Sequence, residues 1–177
     1  MENAGGNQFA SALSQEENWQ KAVQEVCDAT RAEGMPPPDL ALLFFSSDHQ
    51  PDAKSIVHQL SEQLECENLF GCNGESIVGS EQEIEQSPAL SLWLAWIPDV
   101  EITPMHLTFE RTADGGTILG WPDELMEEWD PSSAMLVVAD PFSFPMEYLL
   151  ERMNEDHAGI PISGGMASGV SVPGESR

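Results

Sequence analysis

Residues 40–45, LALLFF, are apolar without a break. A strand with water on one face alternates apolar and polar positions, whereas a run with no polar position has to be covered on both faces. That segment therefore asks for a layered arrangement in which helices lie on a sheet. The flanking sequence supplies the helices. Before it, Trp19, Ala22, Val23, Val26 and Cys27 recur at helical spacing, with Glu16, Gln20, Gln24 and Asp28 on the opposite face. Ser14 and Glu17 have the spacing of a capping box, and Gly34 with Pro36, Pro37 and Pro38 ends the helix. After it come a polar turn, SSDHQPD, and a helix over 52–64 with Ile56, Val57, Leu60 and Leu64 on one face. Residues 69–74, LFGCNG, then read as a short strand entering a glycine turn.

The rest of the chain follows a related plan. ESIVG reads as a short strand and turn, and ALSLWLAWI over 89–97 as a central strand. Residues 105–110 alternate, with Met105, Leu107 and Phe109 opposed to His106, Thr108 and Glu110, which predicts an antiparallel strand. Residues 111–134 are rich in acidic side chains and read as a long connection with one helical turn at 123–128, the segment best suited to move as a lid. MLVVA over 135–139 is a strand, 145–156 a helix with Leu149, Leu150 and Met153 inward, and 160–169 a strand entering a glycine-rich turn. The small, polar residues 1–13 are expected to form a flexible lead-in, with one domain over 14–177.

A shift of 93 residues superimposes the two halves without a gap. Leu43 falls on Leu136, Ile56 on Leu149, Leu60 on Met153 and Gly71 on Gly164. Each half is strand, polar turn, helix, strand, glycine turn. A period of 93 is too long for a solenoid repeat, so the reading is two β-α-β-like units within one domain. The fold class is α/β (α+β mixed): two pseudo-repeated β-α-β units with a mixed sheet, layered with helices. The second unit stops at VSVPGESR, where a hairpin matching the first would begin, so the chain is expected to be the amino-terminal part of a longer protein.

Charge narrows the partners. Thirty-one acidic residues face six basic ones, a formal net charge of -25. Such a surface repels phosphate backbones and anionic lipid, which argues against nucleic acid and membrane as partners. It suits either a salty cytoplasm or simple solubility, or else an acidic face that meets a basic partner or a cationic ligand. Cys27, Cys66 and Cys72 form no zinc spacing and no even disulfide framework. With no signal peptide and no apolar run long enough to span a bilayer, a reducing, cytoplasmic location is expected.

The segments DLALLFFSS, GCNGESIVG, EIEQSPALSLWLA, MLVVADPFSF and PISGGMASG, in that order and spacing, resemble the FIST domain, named for F-box and intracellular signal transduction proteins. The resemblance covers roughly residues 17–177. It implies a sensory role without catalysis, in which a small ligand such as an amino acid is bound and a signalling or adaptor protein receives the output. From the residue spacing no cofactor and no metal are expected.

In open α/β sheets ligands bind beyond the carboxyl ends of the strands. Those ends carry Ser46 and Ser47, Cys72 and Asn73, Asp140, and Gly164 and Gly165, which form the candidate ligand-binding set. Each has a structural alternative. Ser47 and Asp140 suit helix or turn capping. Gly164 and Gly165 suit close packing or positive φ. Cys72 suits a packed core position, a ligand-lining position or, as a third reading, the nucleophile of a thiol enzyme. Glu81, Glu83 and Glu85 lack the calcium-loop pattern and read as a solvated face.

Overall fold

The computed structural model describes residues 6–32, 34–113, 115–125 and 129–169. The chain divides into two compact units, one over 1–102 and one over 103–176.

The first unit runs β1 (Gln8–Ser14), α1 (Trp19–Thr30), β2 (Leu40–Ser46), a 3-10 helix (Ser47–Asp52), α2 (Ala53–Leu64), β3 (Leu69–Gly74), β4 (Ser76–Gly79), β5 (Gln82–Glu85) and β6 (Leu90–Trp96). Four strands form one mixed sheet in the order β1-β6-β2-β3. β6 is antiparallel to both β1 and β2, and β3 is parallel to β2. The carboxyl ends of β1, β2 and β3 therefore share one edge of the sheet.

The helices cover one face. Ala22, Val23, Val26 and Cys27 of α1 and Ile56, Leu60 and Leu64 of α2 pack on Ala41, Leu43 and Phe45 of β2 and on Leu90, Leu92 and Leu94 of β6. Each large side chain in this set contributes about 1.5–3 kcal/mol through burial. Arg31, just past α1, ties the two helices together. Its guanidinium donates to the Gln63 carbonyl at 2.8 Å, the Leu64 carbonyl at 3.3 Å and the Met35 carbonyl at 3.0 Å. A cation there answers the orphaned carbonyls and negative dipole end of α2.

Several expectations need correction. Residues 8–13 are not a flexible lead-in but belong to β1, where Ala10 and Ala12 pack against the core and Phe9 stacks on Trp93 with ring centroids 5.4 Å apart. Ser14 closes that strand, so the capping box with Glu17 does not form. Asn18 caps α1 instead, its side chain accepting from the Lys21 N–H at 3.0 Å. Val57 points outward, one position off the buried row of Ile56, Leu60 and Leu64.

The second unit runs β7 (Thr108–Thr112), β8 (Gly115–Leu119), a 3-10 turn (Asp123–Leu125), β9 (Met135–Ala139), α3 (Met146–Asp156) and β10 (Ile162–Met166). β9 and β10 pair in parallel, and β7 and β8 form an antiparallel hairpin. Leu149 and Met153 of α3 bury against Met135, with Val137, Phe144 and Ile162 packed around them. Leu150, expected to face inward, is exposed. The segment expected to be a lid is in part this hairpin: a glycine follows its turn at Gly115, and Phe109 pairs with Ile118. Residues 126–128 of the expected helical turn lie outside the described residues.

The internal repeat is real in geometry, but its alignment is not gapless. Gly71 pairs with Leu43, and Gly164 pairs with Val137. The second strands keep the offset of 93, while the first strands are offset by 94 (137 minus 43). One residue is gained between β2 and α2. Both glycines serve the same contact. A Cβ on Gly71 would lie 1.7 Å from the Leu43 carbonyl oxygen, and one on Gly164 would lie 1.8 Å from that of Val137. Gly164 also has φ +142°, where an L side chain is strained.

This predicts a contrast between two glycines. Gly71→Ala must push the β2 backbone aside and lowers stability in urea denaturation by about 3 kcal/mol. Gly165→Ala, which meets nothing within 4 Å, changes it by about 0.5 kcal/mol or less. Equal effects at the two positions would contradict the close-contact reading.

Candidate functional site

Strand alternation places the candidate residues on definite faces. Ser14, Leu90, Phe45 and Asn73 lie side by side across the four strands, in one row at the carboxyl edge. Phe45 and Leu90 face the helices, so Asn73 does too. It is completely buried, at 0% exposure. Neither its Oδ1 nor its Nδ2 has a hydrogen-bond partner in the protein. A buried carboxamide left unpaired costs about 1–3 kcal/mol.

A second buried polar group sits at the same edge. The 3-10 helix that follows β2 lies against the end of β3 and carries His49, which is 1% exposed. The Glu16 backbone hydrogen-bonds the ring, and Nε2 has no partner. The nitrogen held by Glu16 is therefore Nδ1, and Nε2 is left as a bare acceptor. Burial lowers the His49 pKa from 6.5, against the opposing pull of Asp48 and Asp52, so the ring is neutral near pH 7. In the sequence His49 is one residue of a polar turn, SSDHQPD. Its burial comes from the 3-10 helix folding back over the sheet edge.

The other candidates divide plainly. Ser46 is buried and structural: its Oγ donates to Asp48 at 3.0 Å and accepts from the Ala89 N–H at 3.1 Å, tying β2 to the start of β6. Ser47 begins the 3-10 helix and is exposed. Cys72 pairs with Phe44 and points to the opposite face from Asn73, so these neighbours cannot line one pocket. Burial pushes the Cys72 thiol up to about 11, which keeps it protonated at neutral pH.

In the second unit, Asp140 holds its own turn. Its carboxylate accepts from the Phe142 N–H at 3.0 Å and the Ser143 Oγ at 2.8 Å. Gly164 is committed to the Val137 contact, and Gly165 is open. Glu83 and Glu85 lie on the β5 hairpin strand, and among the described residues no cluster of metal-ligating side chains occurs. Two hollows stand out. One, of about 270 Å³, lies beside Arg31, Gln24 and Gln63, and its cation is already spent on carbonyls. The other, of about 320 Å³, lies beyond the carboxyl end of β9. Among the described residues no helix is long and apolar enough to cross a membrane.

With this geometry in place, the relationships are informative. The profile of the FIST N domain matches residues 39–176. Uncharacterized proteins from two strains of Mycobacterium tuberculosis are each 34% identical over 140 residues, covering 79% of this chain and 35% of the relative. An uncharacterized protein of Mycobacterium bovis is 31% identical over 140 residues with the same coverage. No solved structure shows a significant match. The chain belongs to the FIST family, a sensory and signal-transduction family. It spans about a third of the length of the curated relatives it matches, 35%.

The buried ring gives a pH signature. The folded-state pKa of His49 is depressed below 6.5, so the unfolded chain binds that proton more tightly. The stability it protects is present above pH 6.5 and is lost as pH falls through the folded value. His49→Gln keeps a donor for Glu16 without the titration. The urea midpoint should fall further between neutral and mildly acid pH for wild type than for His49→Gln; identical pH slopes would show that His49 is not buried neutral.

Proposed function

We propose that this chain is a cytoplasmic sensory module that binds a small polar ligand at the carboxyl edge of its four-stranded sheet and passes the change to a signalling partner. The observation that carries this reading is Asn73. Cores leave few buried polar groups unpaired, and those that persist call for an explanation. Here a carboxamide with two free heteroatoms and an imidazole with one free acceptor occur at the same strand edge, where α/β sheets hold ligands. A ligand suited to them donates to His49 Nε2 and exchanges a donor and an acceptor with Asn73. An amino acid or a similar small metabolite carries both.

Binding would satisfy groups that folding leaves orphaned, so the ligand-free protein is held below its best stability. No step of this reading needs a nucleophile, and Cys72, protonated and on the far face, takes no part. The acidic surface suits docking of a basic partner, which would respond to the ordering of the sheet edge.

A thermal-shift screen with free amino acids and small polar metabolites should find a stabilising compound, by about 2.7 kcal/mol at a hundredfold excess over Kd. Asn73→Leu should abolish that response while raising ligand-free stability by about 1 kcal/mol, because the unpaired carboxamide is gone. A variant that loses stability, or a wild type that responds to nothing, overturns the reading.

A further inference from the structure

We infer that the second unit carries a separate site for a small organic carboxylate with an apolar, preferably aromatic, body. The site is the hollow beyond β9, about 320 Å³, within the range of small-ligand pockets. Phe109, Arg111, Pro141, Phe142, Phe144 and Pro145 line it. Ser143 adds a hydroxyl to these otherwise apolar walls, and among the described residues lining the hollow the one charge is Arg111.

The charge is the informative part. The chain has 31 acidic residues and six basic ones. The other described basic residues are mostly occupied: Lys21 meets Glu16, Arg31 binds carbonyls, and Arg152 pairs with Glu155 and Asp156. Lys54 stands exposed on the first turn of α2, outside either hollow. Arg111 makes no ion pair and no hydrogen bond among the described residues, despite the excess of carboxylates. Asp140, just past β9, accepts from the Phe142 N–H and the Ser143 hydroxyl. An unpaired arginine fork in a hollow it shares with phenyl rings is matched by a carboxylate on an apolar body.

The hollow is also built rather than incidental. Arg111 and Phe109 project from the same face of β7, two residues apart. Across the hairpin Arg111 faces Gly116, which presents no side chain to compete. A Cβ at Gly116 would lie 2.2 Å from the Phe109 ring, so that glycine leaves room for the ring beside β8. Phe109 packs edge-on against Tyr148 of α3, centroids 5.4 Å apart, and the Tyr148 hydroxyl donates to the Gly116 carbonyl at 2.8 Å. Phe109 is thus braced before any ligand arrives. Phe142, 49% exposed, is the wall that a bound aromatic ring would cover.

Isothermal titration of the full chain with phenylacetate tests this, with phenylacetamide and acetate as controls. Phenylacetate should bind saturably, its affinity falling with added salt. Phenylacetamide lacks the charge and acetate lacks the ring, so each should bind at least about tenfold more weakly. Arg111→Gln, an exposed substitution whose folding is checked by circular dichroism, should weaken phenylacetate about tenfold or more. Phe142→Ala should weaken phenylacetate but leave acetate unchanged. Asn73→Leu should leave phenylacetate binding intact, which keeps this site distinct from the strand-edge site of the first unit. No saturable binding up to about 10 mM, an unaltered affinity in Arg111→Gln, or equal binding of acetate and phenylacetate would overturn the inference.

Discussion

Much of the first unit depends on a single close approach, that of Gly71 to the Leu43 carbonyl. With no Cβ to hold the strands apart, β3 lies against β2 in one register, and Leu43 meets Gly71 while Phe45 meets Asn73. A slip of one residue would carry every β3 side chain to the other face. Asn73 would then leave the buried side and Cys72 would enter it. The glycine is therefore what commits a carboxamide, rather than a thiol, to the space under the helices. The other borders of that space are fixed by Ser46, which ties β2 to the start of β6, and by the 3-10 helix that brings His49 over the edge.

The second unit repeats the contact without repeating the consequence. Gly164 meets the Val137 carbonyl as Gly71 meets that of Leu43. Yet the residue two places on is Met166, exposed, where the first unit has Asn73, buried. The strand pair β9 and β10 has no counterpart of β6 and β1 beside it among the described residues, and its helix covers a smaller core. The polar seat at the strand edge thus belongs to the first unit. What the second unit has there is an aromatic hollow with a free arginine. The two units share a backbone device and differ in what they present.

Most of the fold was legible in the sequence because its signals are periodic. The two-sided run of β2, the apolar run of β6 and the i, i+4 rows of α1, α2 and α3 each depend on burial, which sequence pattern reports directly. β1 escaped because alternating small residues, Ala10 and Ala12, carry little hydrophobic signal, and what makes them a strand is the partner β6. The β7–β8 hairpin escaped because the acidic residues beyond it made the whole stretch read as one loop. Of the candidate site, Asn73 was legible as a strand-end residue. Its lack of partners was not, since hydrogen bonding is a property of the assembled core. His49 was invisible for the same reason, and Arg111 because a lone cation acquires meaning only from the side chains that surround it.

The central claim is that Asn73 and His49 are polar groups which the protein leaves for something else to satisfy. The most direct test is X-ray diffraction from the full chain purified from its own cells, without washing at high salt or low pH. The account predicts density larger than a water molecule within hydrogen-bonding distance of the Asn73 carboxamide and of His49 Nε2. Asn73 and His49 paired to protein atoms, with nothing bound between them, would contradict it.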